Sequence, residues 1–161
     1  MNATSRPFTP RKDELRGELI LIRGLPGSGK TTMAKVLALV GFKHFEADMF
    51  FELDGVYHYD ASRIREAHVW CQKMARQALA IDKRVVVSNT FTRLQEMEPY
   101  RSMTENVRVV EATGRWDNLH GVPAGMMQRM AERWEALPSS RSTSNINPEQ
   151  LATSSSGPRV H

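Results

Sequence analysis

The residues best equipped for chemistry are those of Gly24-Leu25-Pro26-Gly27-Ser28-Gly29-Lys30-Thr31, whose spacing is G-x-x-x-x-G-K-[ST]. Glycines at these positions let the backbone turn inward, so that successive N–H groups converge on phosphate oxygens. Lys30 is then placed to reach the β and γ phosphates of a nucleoside triphosphate, and the Thr31 hydroxyl to face Mg²⁺. A helix opening at the same point adds its positive dipole end. The motif needs a strand before it and a helix after it. Residues 19–22 (LILI) form an apolar run of strand length, and residues 32–39 follow with helical periodicity. The expected nucleotide-binding set is Gly24, Pro26, Gly27, Ser28, Gly29, Lys30, Thr31 and Thr32, with ATP and Mg²⁺ as ligands.

A phosphate loop alone does not separate a kinase from an ATPase switch. A switch ATPase usually carries a second acidic residue at the end of an apolar strand. Here the obvious strand, Arg84-Val85-Val86-Val87, ends in Ser88-Asn89-Thr90 and supplies no carboxylate. Asn89 and Thr90 either hydrogen-bond a phosphate or a metal-bound water, or simply cap the strand end. Asp48 follows a second short strand, residues 42–45. It is positioned either to accept a proton from an attacking hydroxyl or to cap the next turn.

These residues must be held by the elements between them. A long helix is expected over 61–81, with Asp60 as N-cap and Ile64, Ala67, Cys71, Met74, Ala78 and Ile81 as its core stripe. The β-branched run at 84–87 reads as a strand buried on both faces. Thr92 opens a short helix with Gln95 at capping-box spacing. Residues 107–110 read as a further strand, and a last helix follows Pro123 with Met127, Met130, Trp134 and Leu137 on one side. Strands alternating with helices imply an α/β fold, a parallel sheet with helices on both faces. Ligands in such sheets sit beyond the carboxyl ends of the strands. The phosphate loop, Glu46-Ala47-Asp48 and Ser88-Asn89-Thr90 therefore converge there.

At 161 residues and 40% apolar composition the chain holds one domain, expected at 18–138. Residues 1–17 and the Ser/Thr-rich residues 139–161 read as flexible tails. A single cysteine excludes an internal disulfide framework and suits a reducing, cytoplasmic compartment. No membrane-length apolar run and no secretory signal are visible, and no obligate protein partner is evident. One cysteine and scattered histidines make no zinc ligand set. The net charge of +4 suits an anionic substrate without deciding one.

In order, GLPGSGKTT, FEADMFF, DGVYHYD, EAHVWCQKMAR, VVVSNTFTRLQEMEPY and HGVPAGMMQRMAERW resemble the P-loop kinase family typified by the phage-type polynucleotide 5′-kinase and its small AAA-type ATP-binding relatives. The resemblance covers roughly residues 18–137. It implies an adenylate-kinase-like three-layer α/β/α fold and makes Asp48 the general base, with Thr31 and Asp48 on the metal side. Asn89 falls where the polynucleotide kinase has an acidic residue, and Phe51 where it has an arginine. Gly114-Arg115-Trp116-Asp117 resembles a shortened lid, so Arg115 and Arg129 become candidates to meet transferring phosphate. His68 and Gln72 would border the substrate channel. The implied activity is transfer of the γ-phosphate of ATP to a hydroxyl: a polynucleotide 5′-hydroxyl, or a hydroxyl of a nucleotide or modified base. Two alternatives stand beside it, a small-molecule kinase and an ATP-binding interaction module whose chemistry has decayed. Neither the acceptor, DNA against RNA, nor the oligomeric state is legible in the sequence.

Overall fold

A computed structural model describes residues 17–116 and 121–139. Four strands form one parallel sheet: β1 (Leu19–Arg23), β2 (Lys43–Phe45), β3 (Val85–Asn89) and β4 (Val107–Glu111), in the order β2-β3-β1-β4. The helices are α1 (Lys30–Leu39), α2 (Ile64–Ala80), α3 (Glu98–Arg101) and α4 (Ala124–Glu132). The tails expected at 1–17 and 139–161 lie outside the described residues except for Gly17 and Ser139, as do Asp117 and His120.

Alternation along the central strands makes two cores. Leu19 and Leu21 of β1, with Val85 and Val87 of β3, pack with Ala67, Cys71 and Ala75 of α2 on one face. Ile22 and Val86 pack with Ala34 of α1 and Phe42 on the other. Helices therefore cover both faces, as the parallel βαβ pattern requires. Val85, Val86 and Val87 are all fully buried, and each contributes on the order of 1.5–3 kcal/mol by leaving water.

Local chemistry moved several expected boundaries. The stretch 61–81 is divided: Asp60 accepts from Ser62 N at 2.9 Å and caps a 3-10 turn (Ala61–Arg63) that feeds α2. At the other end Asp82 takes φ 56°, and Lys83 N bonds back to Ala78 O at 3.0 Å. That left-handed residue stops α2 at Ala80 and leaves Ile81 exposed. The core stripe is accordingly Ala67, Cys71, Ala75, Ala78 and Leu79, with Ile64 turned out of it. The capping box falls one residue later than Thr92 and Gln95. Arg93 N donates to Glu96 Oε2 at 3.0 Å, and the Thr92 hydroxyl reaches the same oxygen. The last helix ends at Glu132, and none of its residues is fully buried.

The chain after α4 is held by one buried cation. Arg23, at the end of β1 and fully buried, donates to Phe91 O at 2.9 Å, Thr92 O at 3.3 Å and Glu135 O at 2.7 Å. It pairs with Glu111 at 3.1 Å, and its guanidinium lies 3.9 Å from the Trp134 ring centre. Such a planar fork with several fixed acceptors is work for arginine and not for lysine. Arg23→Met should destabilise the fold by about 3 kcal/mol or more, because it strands three carbonyls and Glu111 together. Urea denaturation of the two proteins measures that difference.

Candidate active site

The carboxyl ends of β1, β2 and β3 open onto two adjoining cavities. The first, about 820 Å³, is lined by residues 27–33, 111–114 and Trp116. The second, about 320 Å³, is lined by Pro26, Lys30, Thr31, Glu46, Ala47, Asp48, Tyr57, Tyr59, Ile64, His68, residues 88–90 and 121–123, Met126 and Met130. Lys30 and Thr31 line both. They are the wall where the two cavities meet.

The loop between β1 and α1 can turn as it does only with glycine at three positions, Gly24, Gly27 (φ 78°) and Gly29. At Gly24, Ser28 Oγ and Ala112 O occupy the space a Cβ would need. Gly29 has φ 92° and stands directly before α1, a conformation L residues rarely adopt. The Trp116 ring comes within 2.6 Å of where its Cβ would be and also lies against Gly114. Backbone bonds from Gly114 N to Ser28 O (3.0 Å) and Trp116 N to Gly27 O (2.9 Å) fasten this segment over the loop. Lys30 Nζ points back to Leu25 O at 3.5 Å. Burial lowers the Lys30 pKa, and the charges of Glu46 and Asp48 work against that.

Asp48 does not stand at the tip of β2. The strand ends at Phe45, and Asp48 lies in a 3-10 turn, Ala47–Glu52. The turn is anchored by Asn89, whose buried side-chain oxygen accepts from Ala47 N at 2.9 Å while its amide group donates toward Cys71 Sγ at 3.8 Å. The amide at position 89 thus ties β3 to the residue preceding Asp48. Phe51 is buried and makes edge-on contacts with Tyr57 and Tyr59 at 5.2–6.4 Å between ring centres. It supports the two tyrosines that line the second cavity.

The residue the sequence reading passed over is Glu46. It is nine-tenths buried at the end of β2, its Oε1 taking a hydrogen bond from Ser88 Oγ at 2.6 Å, with His44 Nε2 3.0 Å away. The Thr31 hydroxyl also acts to lower its pKa. Burial alone would raise its pKa, but these donors hold it down at about 2. Burial also lowers the His68 pKa against the pull of Glu96 and Asp48, so His68 faces the cavity as neutral imidazole at neutral pH.

Of the residues singled out from the sequence, Gly27, Ser28, Gly29, Lys30, Thr31 and Thr32 line the first cavity. Pro26, Asp48, His68, Asn89 and Thr90 line the second. Gly24 shapes the loop without lining either. Gln72, one turn beyond His68, is half-buried outside both. Arg115 and Arg129 are exposed and also line neither. On α4 it is Met126 and Met130 that face the second cavity, so the helix presents sulfur and methylene there instead of guanidinium. The oxygens of Thr31, Glu46 and Asp48 beside Lys30 are hard donors, few in number. They fit Mg²⁺, which takes one or two carboxylates and completes its shell with phosphate and water.

Two measurements follow. Because the folded pKa of Glu46 is depressed, its contribution is full above its ordinary value of 4.5 and fades as pH falls toward about 2. Glu46→Gln should therefore cost on the order of 1–3 kcal/mol at neutral pH, a difference that closes on acidification; urea melts across that range test it. Trp116, 68% exposed over the loop glycines, should change its emission when ATP is added, and Trp116→Phe should abolish the change.

Residues 19–116 match a family described as an AAA domain. NEDD4-binding protein 2 of Homo sapiens is 30% identical over 135 residues, which are 73% of this chain but 8% of that protein. A gluconokinase from Sinorhizobium meliloti 1021 superposes with a TM-score of 0.53 at 19% identity over 79% of each chain. The Pnkp1/Rnl/Hen1 RNA repair complex contains a chain that superposes with a TM-score of 0.52 at 13% identity, over 76% of this chain and 40% of that one. At such identities the superpositions establish the α/β P-loop kinase-like fold. With the AAA-domain match covering more than half its length, the chain belongs to this family of P-loop kinase-like proteins.

Proposed function

We propose that this protein is an ATP-dependent kinase acting on a hydroxyl at the end of a nucleic acid or on a nucleotide. The observation that carries the reading is the pair of cavities meeting at Lys30 and Thr31, with Asp48 in the second. Two pockets sharing the phosphate loop suit a donor on one side and an acceptor on the other. An ATPase that only hydrolyses needs no walled second pocket. Its walls favour a nucleoside over a polyhydroxyl acid: Tyr57, Tyr59, Ile64, Met126 and Met130 offer rings and apolar surface. Base–aromatic stacking is worth about 1–3 kcal/mol per base, whereas a sugar acid would leave its hydroxyls facing methionines.

In this reading ATP lies in the first cavity, its phosphates on the backbone N–H groups of residues 27–31 and on Lys30. The acceptor hydroxyl lies in the second, beside Asp48. Its oxygen forms the bond to the γ phosphorus as the bond to the β-side oxygen breaks, and its proton passes to the Asp48 carboxylate. Phosphoryl transfer asks the protein chiefly for alignment and charge compensation. Bound Mg²⁺, held from the Thr31 and Asp48 side, would neutralise charge on the phosphates. Asn89 keeps the Asp48 turn in register, and His68 offers a neutral hydrogen-bonding edge to the acceptor. Arg115 and Arg129 remain the proposed cationic groups for the transferring phosphate, reached from outside the two pockets.

The test is transfer of labelled γ-phosphate from ATP to 5′-hydroxyl oligonucleotides, with gluconate and simple alcohols as competing acceptors. Asp48→Asn should lower kcat by about 10²–10⁴-fold while ATP still binds. Lys30→Ala should lose transfer and weaken ATP binding together. Transfer to oligonucleotides by Asp48→Asn at the wild-type rate would remove Asp48 as the base. Transfer to gluconate in preference to oligonucleotides would make the protein a small-molecule kinase.

A further inference from the structure

We infer that Glu46 is the carboxylate that holds the divalent cation accompanying the nucleotide, taking over at the end of β2 what β3 does not supply. The inference rests on the nucleotide-binding half of the proposed function. It is independent of the acceptor.

Four observations converge on it. First, the end of β3 offers only Ser88, Asn89 and Thr90, and the Asn89 side chain is committed at both ends, to Ala47 N and Cys71 Sγ. Second, Glu46 shares a cavity wall with Thr31, the residue whose position in the phosphate loop faces the metal. Third, the Glu46 carboxylate is fixed from two strands at once. Ser88 Oγ on β3 donates to Oε1 at 2.6 Å, and His44 Nε2 on β2 lies 3.0 Å from the same oxygen and 2.8 Å from Ser88 Oγ. A carboxylate has roughly four lone-pair sites, so two partners at Oε1 leave room for a further one at Oε2. Fourth, Glu46 lines the second cavity together with Thr31 and Lys30, at the junction of the two pockets. A group meant only to stabilise the sheet would not need that opening. Second-shell partners that orient a ligating carboxylate are a regular feature of metal sites, and His44 with Ser88 has that form.

Ser88 on β3 and Glu46 just past the end of β2 have their side-chain oxygens in contact, so the carboxylate can be exchanged between them. The test uses Mn²⁺ as a paramagnetic probe and a non-hydrolysable ATP analogue. Free Mn²⁺ is counted by electron paramagnetic resonance in the full chain, in Glu46→Gln, and in the double variant Glu46→Ser with Ser88→Asp. Glu46→Gln is expected to bind Mn²⁺ in the nucleotide complex about 10–100-fold more weakly. Its affinity for the analogue without metal should be unchanged or higher, since a negative charge beside the phosphates is gone. The double variant should recover most of the Mn²⁺ affinity. Mn²⁺ binding by Glu46→Gln equal to wild type would overturn the inference. So would an equal loss of metal-free nucleotide binding, which marks a merely structural residue. Should Glu46→Gln fail to fold, the double variant decides alone: near-wild-type Mn²⁺ affinity supports the inference and a large loss overturns it. A wild-type protein that binds no nucleotide overturns this inference and the proposed function together, whereas Mn²⁺–nucleotide binding without transfer to oligonucleotides overturns only the acceptor.

Discussion

The arrangement of the site depends on the parallel pairing of β1 with β3. Leu19 is opposite Val85 and Arg23 is opposite Asn89, so the two central strands end level. Gly24 N then meets Thr90 O at 3.3 Å, and the phosphate loop leaves the sheet beside residues 88–90. β2 joins the same edge but stops earlier, with Phe45 opposite Val87. That two-residue shortfall is what gives residues 46–48 space to turn in front of the end of β3. Were β2 to run on level with β3, Glu46 and Ala47 would be spent on ladder hydrogen bonds. The 3-10 turn bearing Asp48 would then begin beyond the site.

Such an edge can be built only if its buried polar groups are answered. Leaving a buried polar group unpaired costs several times what one hydrogen bond contributes, so each such residue commits its neighbours to one geometry. Arg23 commits residues 91, 92, 111 and 135. Asn89 commits Ala47, and Glu46 commits His44 and Ser88. Arg23 ends β1, Asn89 ends β3 and Glu46 directly follows β2, and between them they fasten the Asp48 turn and the chain after α4. The apolar cores on the two faces provide most of the stability. The polar set determines where the ends of the chain segments go.

This division explains what could be read in the sequence. The phosphate loop, the β-branched strand 84–87 and the alternation of strands with helices were all legible, because each rests on local spacing or periodicity. Asp60 as a cap was legible for the same reason. The end of α2 was not, since it turns on Asp82 adopting a left-handed conformation that glycine usually supplies. Glu46 went unassigned because its neighbour in the sequence, Asp48, is the more familiar candidate. Its partner Ser88 is 42 residues away, a meeting that only strand register creates. Arg23 was silent for a similar reason, as an arginine at a strand end reads as solvated until four acceptors are seen around it. On α4 the helical period allowed the methionine stripe, but which methionine faces the cavity depends on how the helix is set against the sheet.

The charges at the pocket junction make one further demand. Lys30 is half-buried beside two carboxylates, Glu46 and Asp48, both of which act on its pKa. One lysine among two acids leaves the junction negative before any polyphosphate arrives, in a setting where charge is weakly screened. The N–H groups of the loop and the dipole of α1 relieve part of this, by fractions of a charge. Arg115 and Arg129 lie outside both cavities, so within the described residues no guanidinium joins Lys30 at the junction. A polyphosphate therefore enters favourably only with a divalent cation beside it. In the proposed reaction the two carboxylates then change from a repulsive pair into complementary partners, Glu46 toward the cation and Asp48 toward the proton of the acceptor.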